Sequence, residues 1–450
     1  MNFQVGDYYK LPFGVSDLTL VPKIAEFDGN GECVFEKVGQ AKISYTVKGE
    51  HAEFDIIVEK AKINLILLNG QSNASGEFGF FDEKYAIAPP RGCAYMWDWN
   101  NKCLDGDFSH PIPMWEGNFK KGAPPNKKSV KEGFYAPMCD ELYNLSLRNK
   151  APEKTVIIHS CRGGASIAHW MRSDGAEGDL IDQAVRRVRS ALEFFRENSD
   201  KYEVVRLGHV WLQGEGGRDE NGVCSPENYY KDFTKMLALI EERTGVEYHA
   251  IMPVRARTLP ERPALLYLTS ARVAQYAAAA GMDNVFIASM ATEAWKDKDS
   301  TFFFDGVTYT HDELMFTDIH YAQRAYNIMG IEAARTIYAR AIGKGGDVSE
   351  IRIISADGGT HYRDGDEISL SANIHVDGYT GKEHEKSVYL APFALPICAE
   401  SKIEMTVEKD GRVIENAISP LGIIRDGAVL LDATLVCKCG GVEARFTLTE

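Results

Sequence analysis

Ile63-Asn64-Leu65-Ile66-Leu67-Leu68-Asn69-Gly70-Gln71-Ser72-Asn73-Ala74 is the stretch whose reading decides the fold. Its apolar run predicts a strand buried on both faces, and the run stops at a small polar cluster centred on Ser72. In an open α/β sheet, ligands gather just past the carboxyl ends of the strands, so a serine there is well placed to attack something. Gly70 lets the backbone turn sharply and bring its N–H groups close to a ligand. The plainer reading is an ordinary strand-to-loop turn, since Gly, Ser and Asn are common turn residues.

Three further segments change that balance. Thr155-Val156-Ile157-Ile158-His159-Ser160 is a second buried-strand run, followed by Cys161-Arg162-Gly163-Gly164-Ala165-Ser166-Ile167-Ala168-His169-Trp170. Val210-Trp211-Leu212 ends a third and runs into Gln213-Gly214-Glu215-Gly216-Gly217. The fourth segment is Thr317-Asp318-Ile319-His320-Tyr321, which opens a helical pattern. In that order, GQSNA, GGASIAHW, WLQGE and DIH resemble the sialate O-acetylesterase-like branch of the SGNH (GDSL-type) hydrolases, over roughly residues 62 to 343.

The resemblance implies a set of roles. An ester cleaved at neutral pH needs a nucleophile, a base to take its proton, and donors for the oxyanion that develops. Ser72 matches the family's nucleophile and offers its own backbone N–H as one oxyanion donor. Gly163 or Gly164 can supply another, because a glycine amide approaches a substrate without a Cβ in the way. The alternative for that pair is a tight turn opening a helix. Gln213 stands where the broad superfamily has an asparagine donor, and agrees with the branch's WxQGE pattern. His320 is the candidate base. Many SGNH enzymes carry the orienting acid three residues earlier, which here is Thr317; the branch's Asp-Ile-His triplet makes Asp318 the choice. Its plainer role is a helix N-cap, and a Ser–His dyad is the alternative to a triad.

Substrate contacts are expected from Gln71 and Asn73 beside the nucleophile, from Arg162, and from Glu215, which is also expected to order its loop. Arg162 can bind a sugar carboxylate bidentately or pair with a surface acid. Gly217 stands where the branch often has an acid, a role that Asp219 can take over. Trp97 and Trp99, with Tyr85 and Trp115, lie in an aromatic, Pro/Gly-rich insertion at 78–137. An insertion of that length is usually functional. These rings either stack on a sugar or form a satellite core beneath the loop.

The 450 residues suffice for two or three domains. Residues 1–61 show period-two alternation with turn signals at Asp28-Gly29-Asn30-Gly31 and Lys48-Gly49-Glu50, predicting a small β-module. Residues 62–343 alternate strands (63–68, 155–160, 206–212, 248–253, 284–289) with helical patterns. Ser225-Pro226 starts one helix and Gly245 ends it; Pro263 to Gly281 and Tyr321 to Ile342 are others. This predicts a doubly wound parallel α/β sheet, a three-layer, flavodoxin-like arrangement. After a linker at Gly343–Asp347, residues 347–450 alternate again and predict a β-sandwich.

A formal charge of −15 and no basic stripe disfavour nucleic acid as a partner. No apolar run is long enough to span a bilayer, and the N-terminus lacks the pattern of a signal peptide. Nine scattered cysteines fit reduced thiols in a cytoplasmic protein, although a secreted form whose leader has been removed is compatible with the same count. The sequence specifies no oligomeric state. Together these features predict a serine esterase that takes acetyl groups from a carbohydrate, through an acyl-enzyme and with no metal or organic cofactor. Sialic acid esters and acetylated polysaccharides such as xylan both fit. The rivals are a carbohydrate-binding protein without turnover and a glycosidase using Glu215 with a second carboxylate.

Overall fold

The structure, a computed structural model, describes residues 1–342 apart from 77–82, 98–111, 114–132, 172–179, 256–270, 295–300 and single or paired positions that include Asp318. Between 350 and 448 it describes the backbone of seven strands.

The N-terminal stretch forms β1 (Asn2–Gln4), β2 (Tyr8–Lys10), β3 (Val15–Val21), β4 (Glu32–Val34), β5 (Gly39–Val47) and β6 (Glu50–Glu59). Strands β5 and β6 are a hairpin joined by Lys48 and Gly49, both at positive φ, as a two-residue turn that follows the sheet's twist requires. The four-stranded order is β1-β6-β5-β3, with β2 and β4 paired separately. Ile43, Ile56 and Val58 are buried in the same apolar cluster as Leu65 and Trp97 of the next sheet, so the module shares a core with it. Lys154, almost wholly buried, pairs with Asp7 of the module and donates to the Gly92 carbonyl at 2.6 Å.

The central sheet is built from β7 (Ala61–Gly70), β8 (Ala94–Trp97), β9 (Ile112–Pro113), β10 (Lys154–His159), β11 (Tyr202–Leu212), β14 (Tyr248–Ile251) and β15 (Val285–Ile287); β12 (Arg218–Asp219) and β13 (Gly222–Val223) form a small hairpin apart from it. Its order is β15-β14-β11-β7-β10-β8-β9. Six strands are parallel, and only the edge strand β9 runs antiparallel. The stretch that opened the reading is thus the middle strand. Every residue of β7 from Ile63 to Gly70 is buried, which is why its sequence does not alternate.

Helices cover both faces: α1 (Ser72–Ser75), α2 (Tyr135–Arg148), α3 (Ile167–Met171), α4 (Leu180–Glu197), α5 (Pro226–Thr244), α6 (His311–Leu314) and α7 (Gln323–Ile337). Ile63, Leu65 and Leu67 point to the layer that holds α4 and α5, whereas Ile66 and Leu68 point to the layer of α2 and α7. Helix α7 lies so close to α2 that a Cβ on Gly330 would sit 2.2 Å from the Phe134 carbonyl oxygen. Beyond α7 the chain makes one π-helical turn, Tyr338–Ile342. No described helix is long and apolar enough to cross a membrane.

Two expectations change. The segment 78–137 is not all insertion, because β8 within it is an inner strand of the sheet. Trp97, at its end, is fully buried against Phe194 and Phe195, with ring centroids 5.4 and 6.4 Å away. It is a core residue and cannot present a face to a sugar. Trp99, Trp115 and the linker at 343–347 lie outside the described residues, as does much of the helix expected from Pro263. In the C-terminal region, Glu350–Asp357, Ser369–Asp377, Lys402–Lys409 and Arg412–Ile418 form one sheet, and His384–Leu390, Gly441–Leu448 and Leu430–Lys438 form another.

Candidate active site

Strand β7 delivers Ser72 to the carboxyl edge of the sheet. Gly70, at φ 146°, makes the turn, and a Cβ there would lie 2.1 Å from the Leu212 carbonyl oxygen. That carbonyl accepts from the Gln71 N–H at 3.2 Å, which holds the loop against the end of β11. Ser72 is the first residue of α1, a single turn closed by Gly76 in the left-handed conformation. The Ser75 hydroxyl donates to the Ser72 carbonyl at 3.0 Å, and the Ser72 N–H, as the first of α1, has no acceptor within the helix.

His320 arrives from the loop between α6 and α7. The Phe316 and Thr317 N–H groups both donate to its carbonyl, at 2.9 and 3.1 Å, and Met315 bridges to Tyr321, so the loop is tightly closed. Its half-buried imidazole places Nε2 3.1 Å from the Ser72 Oγ, within reach of a proton transfer. On the other side, Nδ1 is 3.3 Å from the Thr317 Oγ1. That hydroxyl already accepts from the Ile319 and His320 N–H groups, at 3.2 and 2.9 Å. Thr317 therefore shapes the loop as well as facing the ring. Asp318 lies outside the described residues.

The second motif runs beside the first. Arg162 donates its N–H to the Gly70 carbonyl at 3.0 Å, and the Ala165 N–H returns to the Arg162 carbonyl at 3.1 Å. Gly163 and Gly164 occupy the two central positions of this turn, and Gly164, at φ 73°, takes the third-residue conformation that favours glycine. Nothing stands within 4 Å of where a Gly164 Cβ would be, so the turn faces open space. Among the described residues no backbone acceptor takes either glycine N–H. The Arg162 side chain is exposed.

Gln213 departs from its expected role. Its Nε2 donates to the Gln71 Oε1 at 3.1 Å and to the Ala165 carbonyl at 3.2 Å, and its Oε1 accepts from the Tyr229 hydroxyl at 2.5 Å. The side chain is wholly buried. Both carboxamide hydrogens are spent, so Gln213 fastens the first and second motif loops to each other and has no N–H left for an oxyanion. Gln275 completes this layer, donating to the Gln213 carbonyl at 2.6 Å. Gln71 is itself buried in this network, with 4 % of its surface exposed, rather than open to a substrate.

Asn73 is likewise a structural residue and not a substrate contact. Fully buried, it donates from Nδ2 to the Glu215 Oε1 at 2.5 Å and to the Ile319 carbonyl at 3.0 Å. Its Oδ1 accepts from the Tyr326 hydroxyl at 2.9 Å and the Tyr321 N–H at 3.4 Å. Glu215 is turned inward toward Asn73, so it orders its loop and does not reach outward. Burial pushes its carboxyl up to about 7, against the Asn73 hydrogen bond, its own backbone N–H and the charge of Arg255.

Tyr229, Gln275, Tyr326 and Thr317 escape a sequence reading of function. Tyr326 belongs to an apolar helix stripe, Tyr229 and Gln275 sit in unremarkable helical patterns, and Thr317 reads only as a missing acid.

No family model and no curated protein matches the chain. Solved structures do. One is a novel carbohydrate acetylesterase from Xanthomonas citri, 13 % identical, with a TM-score of 0.40, covering 96 % of this chain and 85 % of that one. NanS is 13 % identical, with a TM-score of 0.41, covering 62 % of this chain and 98 % of its own. A protein from Arabidopsis thaliana is 16 % identical, with a TM-score of 0.41, covering 61 % and 98 %. These are similarities of fold. A parallel sheet with serine and histidine meeting at its carboxyl edge is the arrangement that the resemblance to SGNH hydrolases implies.

Proposed function

We propose that the chain is an SGNH-type serine esterase that removes O-acetyl groups from a carbohydrate. The observation that carries this reading is the 3.1 Å contact between the Ser72 Oγ and the His320 Nε2 at the end of the middle strand. As the Ser72 oxygen attacks the acetyl carbonyl carbon, His320 takes the hydroxyl proton. The oxyanion develops against the backbone N–H groups of Ser72 and of Gly163 or Gly164, in place of Gln213. The imidazolium then protonates the departing sugar oxygen, and the acetyl group stays on Ser72. A water molecule, activated by the same imidazole, attacks the acyl-enzyme and releases acetate and free Ser72. Asp318 is proposed as the acid that orients the ring.

Arg162, exposed beside the glycine turn, is the proposed anchor for a sugar carboxylate, which would favour a sialic acid ester over acetylated xylan. The two C-terminal sheets are proposed to pack as a β-sandwich that adds binding surface. Release of p-nitrophenol from p-nitrophenyl acetate, abolished by a serine-directed organophosphorus reagent, tests the esterase. A protein that binds sugars yet shows neither turnover nor labelling would instead be the non-catalytic carbohydrate-binding rival. Acetate release from O-acetyl sialic acids compared with acetylated xylan tests the substrate, and equal loss of both on Arg162→Ala would remove the carboxylate anchor.

A further inference from the structure

We propose that Glu215 is a positioning residue for the Ser72–His320 pair, acting through the Asn73 side chain rather than on the substrate. The proposal rests on the esterase reading above and adds a residue to its machinery. Asn73 follows Ser72 directly, and its bonds to the Ile319 carbonyl and the Tyr321 N–H grip the histidine loop on either side of His320. A carboxamide offers two hydrogens and an acceptor oxygen with two lone pairs. All four positions are engaged here, by Ile319, Glu215, Tyr321 and Tyr326. The side chain is thereby held in one orientation, and the distance between the nucleophile's loop and the base's loop is set with it.

Glu215 supplies the one acceptor in this clasp that comes from a third loop. Remove it, and a fully buried N–H loses its partner, which costs more than the bond contributes when made. The amide can then swing, and the grip on the His320 loop loosens. A misplacement of about 1 Å at a reacting pair can cost on the order of a hundredfold in rate.

The carboxyl's other oxygen indicates what the site asks of it. Glu215 Oε2 is shut off from solvent and meets no hydrogen-bond partner among the described residues. A carboxylate doing chemistry would turn that oxygen toward the reacting groups. Here only Oε1 is used, and it is used as an acceptor. Arg255, just past β14, favours the charged form, while burial disfavours it more strongly. The Tyr321 hydroxyl, held up by its own burial, feels the charge of Glu215 and that of Arg272. A proton can therefore reside on Oε2 near neutral pH without disturbing the bond that the Asn73 Nδ2 donates to Oε1. The acceptor matters; the charge does not.

Glutamine tests this, since its Oε1 can accept from Asn73 while its NH2 replaces Oε2. Glu215→Gln is expected to keep kcat within about threefold of wild type with an unchanged pH profile, whereas Glu215→Ala should lower kcat by about thirtyfold and leave KM within about twofold. A loss in Glu215→Gln as large as that in Glu215→Ala would mean that the carboxylate itself takes part, and would overturn the proposal. So would two silent variants. Nitrogen-15 NMR of the His320 ring gives a readout independent of turnover: its signals should match wild type in the glutamine variant and shift in the alanine variant. If wild type proves to have no esterase activity, the ring signals still decide whether Glu215 positions His320. If Glu215→Ala does not fold, as a thermal melt will tell, a large loss in the glutamine variant alone still refutes the idea.

Discussion

Two serine–histidine contacts lie on neighbouring loops at the same edge of the sheet, and they are built for different work. The Ser72 Oγ meets the His320 Nε2 at 3.1 Å across 248 residues of sequence. The Ser166 Oγ meets the His169 Nδ1 at 2.8 Å across three. In the second pair the same Nδ1 also accepts the Ser166 backbone N–H at 3.0 Å. A nitrogen that accepts from a fixed N–H carries no proton, so the neutral His169 ring holds its hydrogen on Nε2. This is the geometry of a helix cap at the start of α3, with histidine standing where a capping box usually has Glu or Gln. In the first pair the two ring nitrogens face two hydroxyls, Nε2 the Ser72 Oγ at 3.1 Å and Nδ1 the Thr317 Oγ1 at 3.3 Å. Contact distance alone would rank the cap first; the remaining partners of each ring reverse the order.

The largest effects should separate the two pairs outright. Ser72→Ala and His320→Ala are each expected to lower turnover of an acetyl ester by roughly a thousandfold or more, and the double variant should be little worse, because such groups act as a unit. Near-normal activity in Ser72→Ala, in protein free of contaminating esterase, would end the reading of the whole site. Next comes the ring's other side. If Asp318 orients His320, Asp318→Asn leaves the wrong tautomer and should cost about a thousandfold or more. If instead the loop and Thr317 hold the ring, the loss should stay within about tenfold, the signature of a dyad; helix α7 begins at Gln323 with Ala322 as its N-cap, so the change removes no helix cap. Thr317→Val, which removes the hydroxyl 3.3 Å from Nδ1, should then be the more damaging change.

The contrast also shows what a linear sequence can reveal. β7 was legible because a strand covered on both faces is mostly apolar, here Ile63 and Leu65 to Leu68 with Asn64 the one polar break, and because ligands gather past the end of such a strand. His320 was legible only through its motif, since nothing local distinguishes it from His169. Gln213 was misread because its carboxamide is claimed by Gln71, Ala165 and Tyr229, brought to it by three other segments. Which donor remains free is a property of the assembled site. Trp97 was misread for the opposite reason: β8 has four residues, too few for any period to mark it as an inner strand. Asn73 looked like a substrate contact because polar residues beside a nucleophile usually are exposed, whereas here it is a buried clasp.

A third histidine contact sharpens the comparison at lower stakes. His209 and His249, on adjacent strands β11 and β14, face each other Nδ1 to Nδ1 at 2.8 Å and are wholly buried. Burial, and after it the charge of His249, hold His209 well below its ordinary value, and burial lowers His249 from 6.5 to about 4, although Glu241, 3.8 Å from its Nε2, pulls the other way. Unfolded, both rings bind protons near pH 6.5; folded, His249 waits until about 4. The unfolded chain therefore takes up more protons across that window. Stability should be full above about pH 6.5 and fall as the pH drops toward 4, over and above the carboxylate effects common to all proteins. Urea denaturation at pH 7.5 and 5 should show the difference. The double variant His209→Leu/His249→Leu should flatten it, and an unchanged pH dependence in that variant would mean that the pair contributes nothing.

The smallest expected effect is the one that most directly tests the distinction between cap and catalyst. Ser166→Ala removes the hydroxyl from the His169 Nδ1 and leaves the backbone N–H bond to that nitrogen in place. Loss of a capping serine typically costs about 1 kcal/mol, and α3 is only five residues long, so a cost at or below that figure is expected in denaturant titrations. The Gly163–Gly164 turn is closed by the Ala165 N–H and the Arg162 carbonyl, which this change does not touch. Its N–H groups, the proposed oxyanion donors, should stay in place, and kcat should remain within about twofold of wild type. A fall of a hundredfold or more in a stably folded Ser166→Ala would make the second pair part of the chemistry. The separation of roles between the two loops would then be wrong.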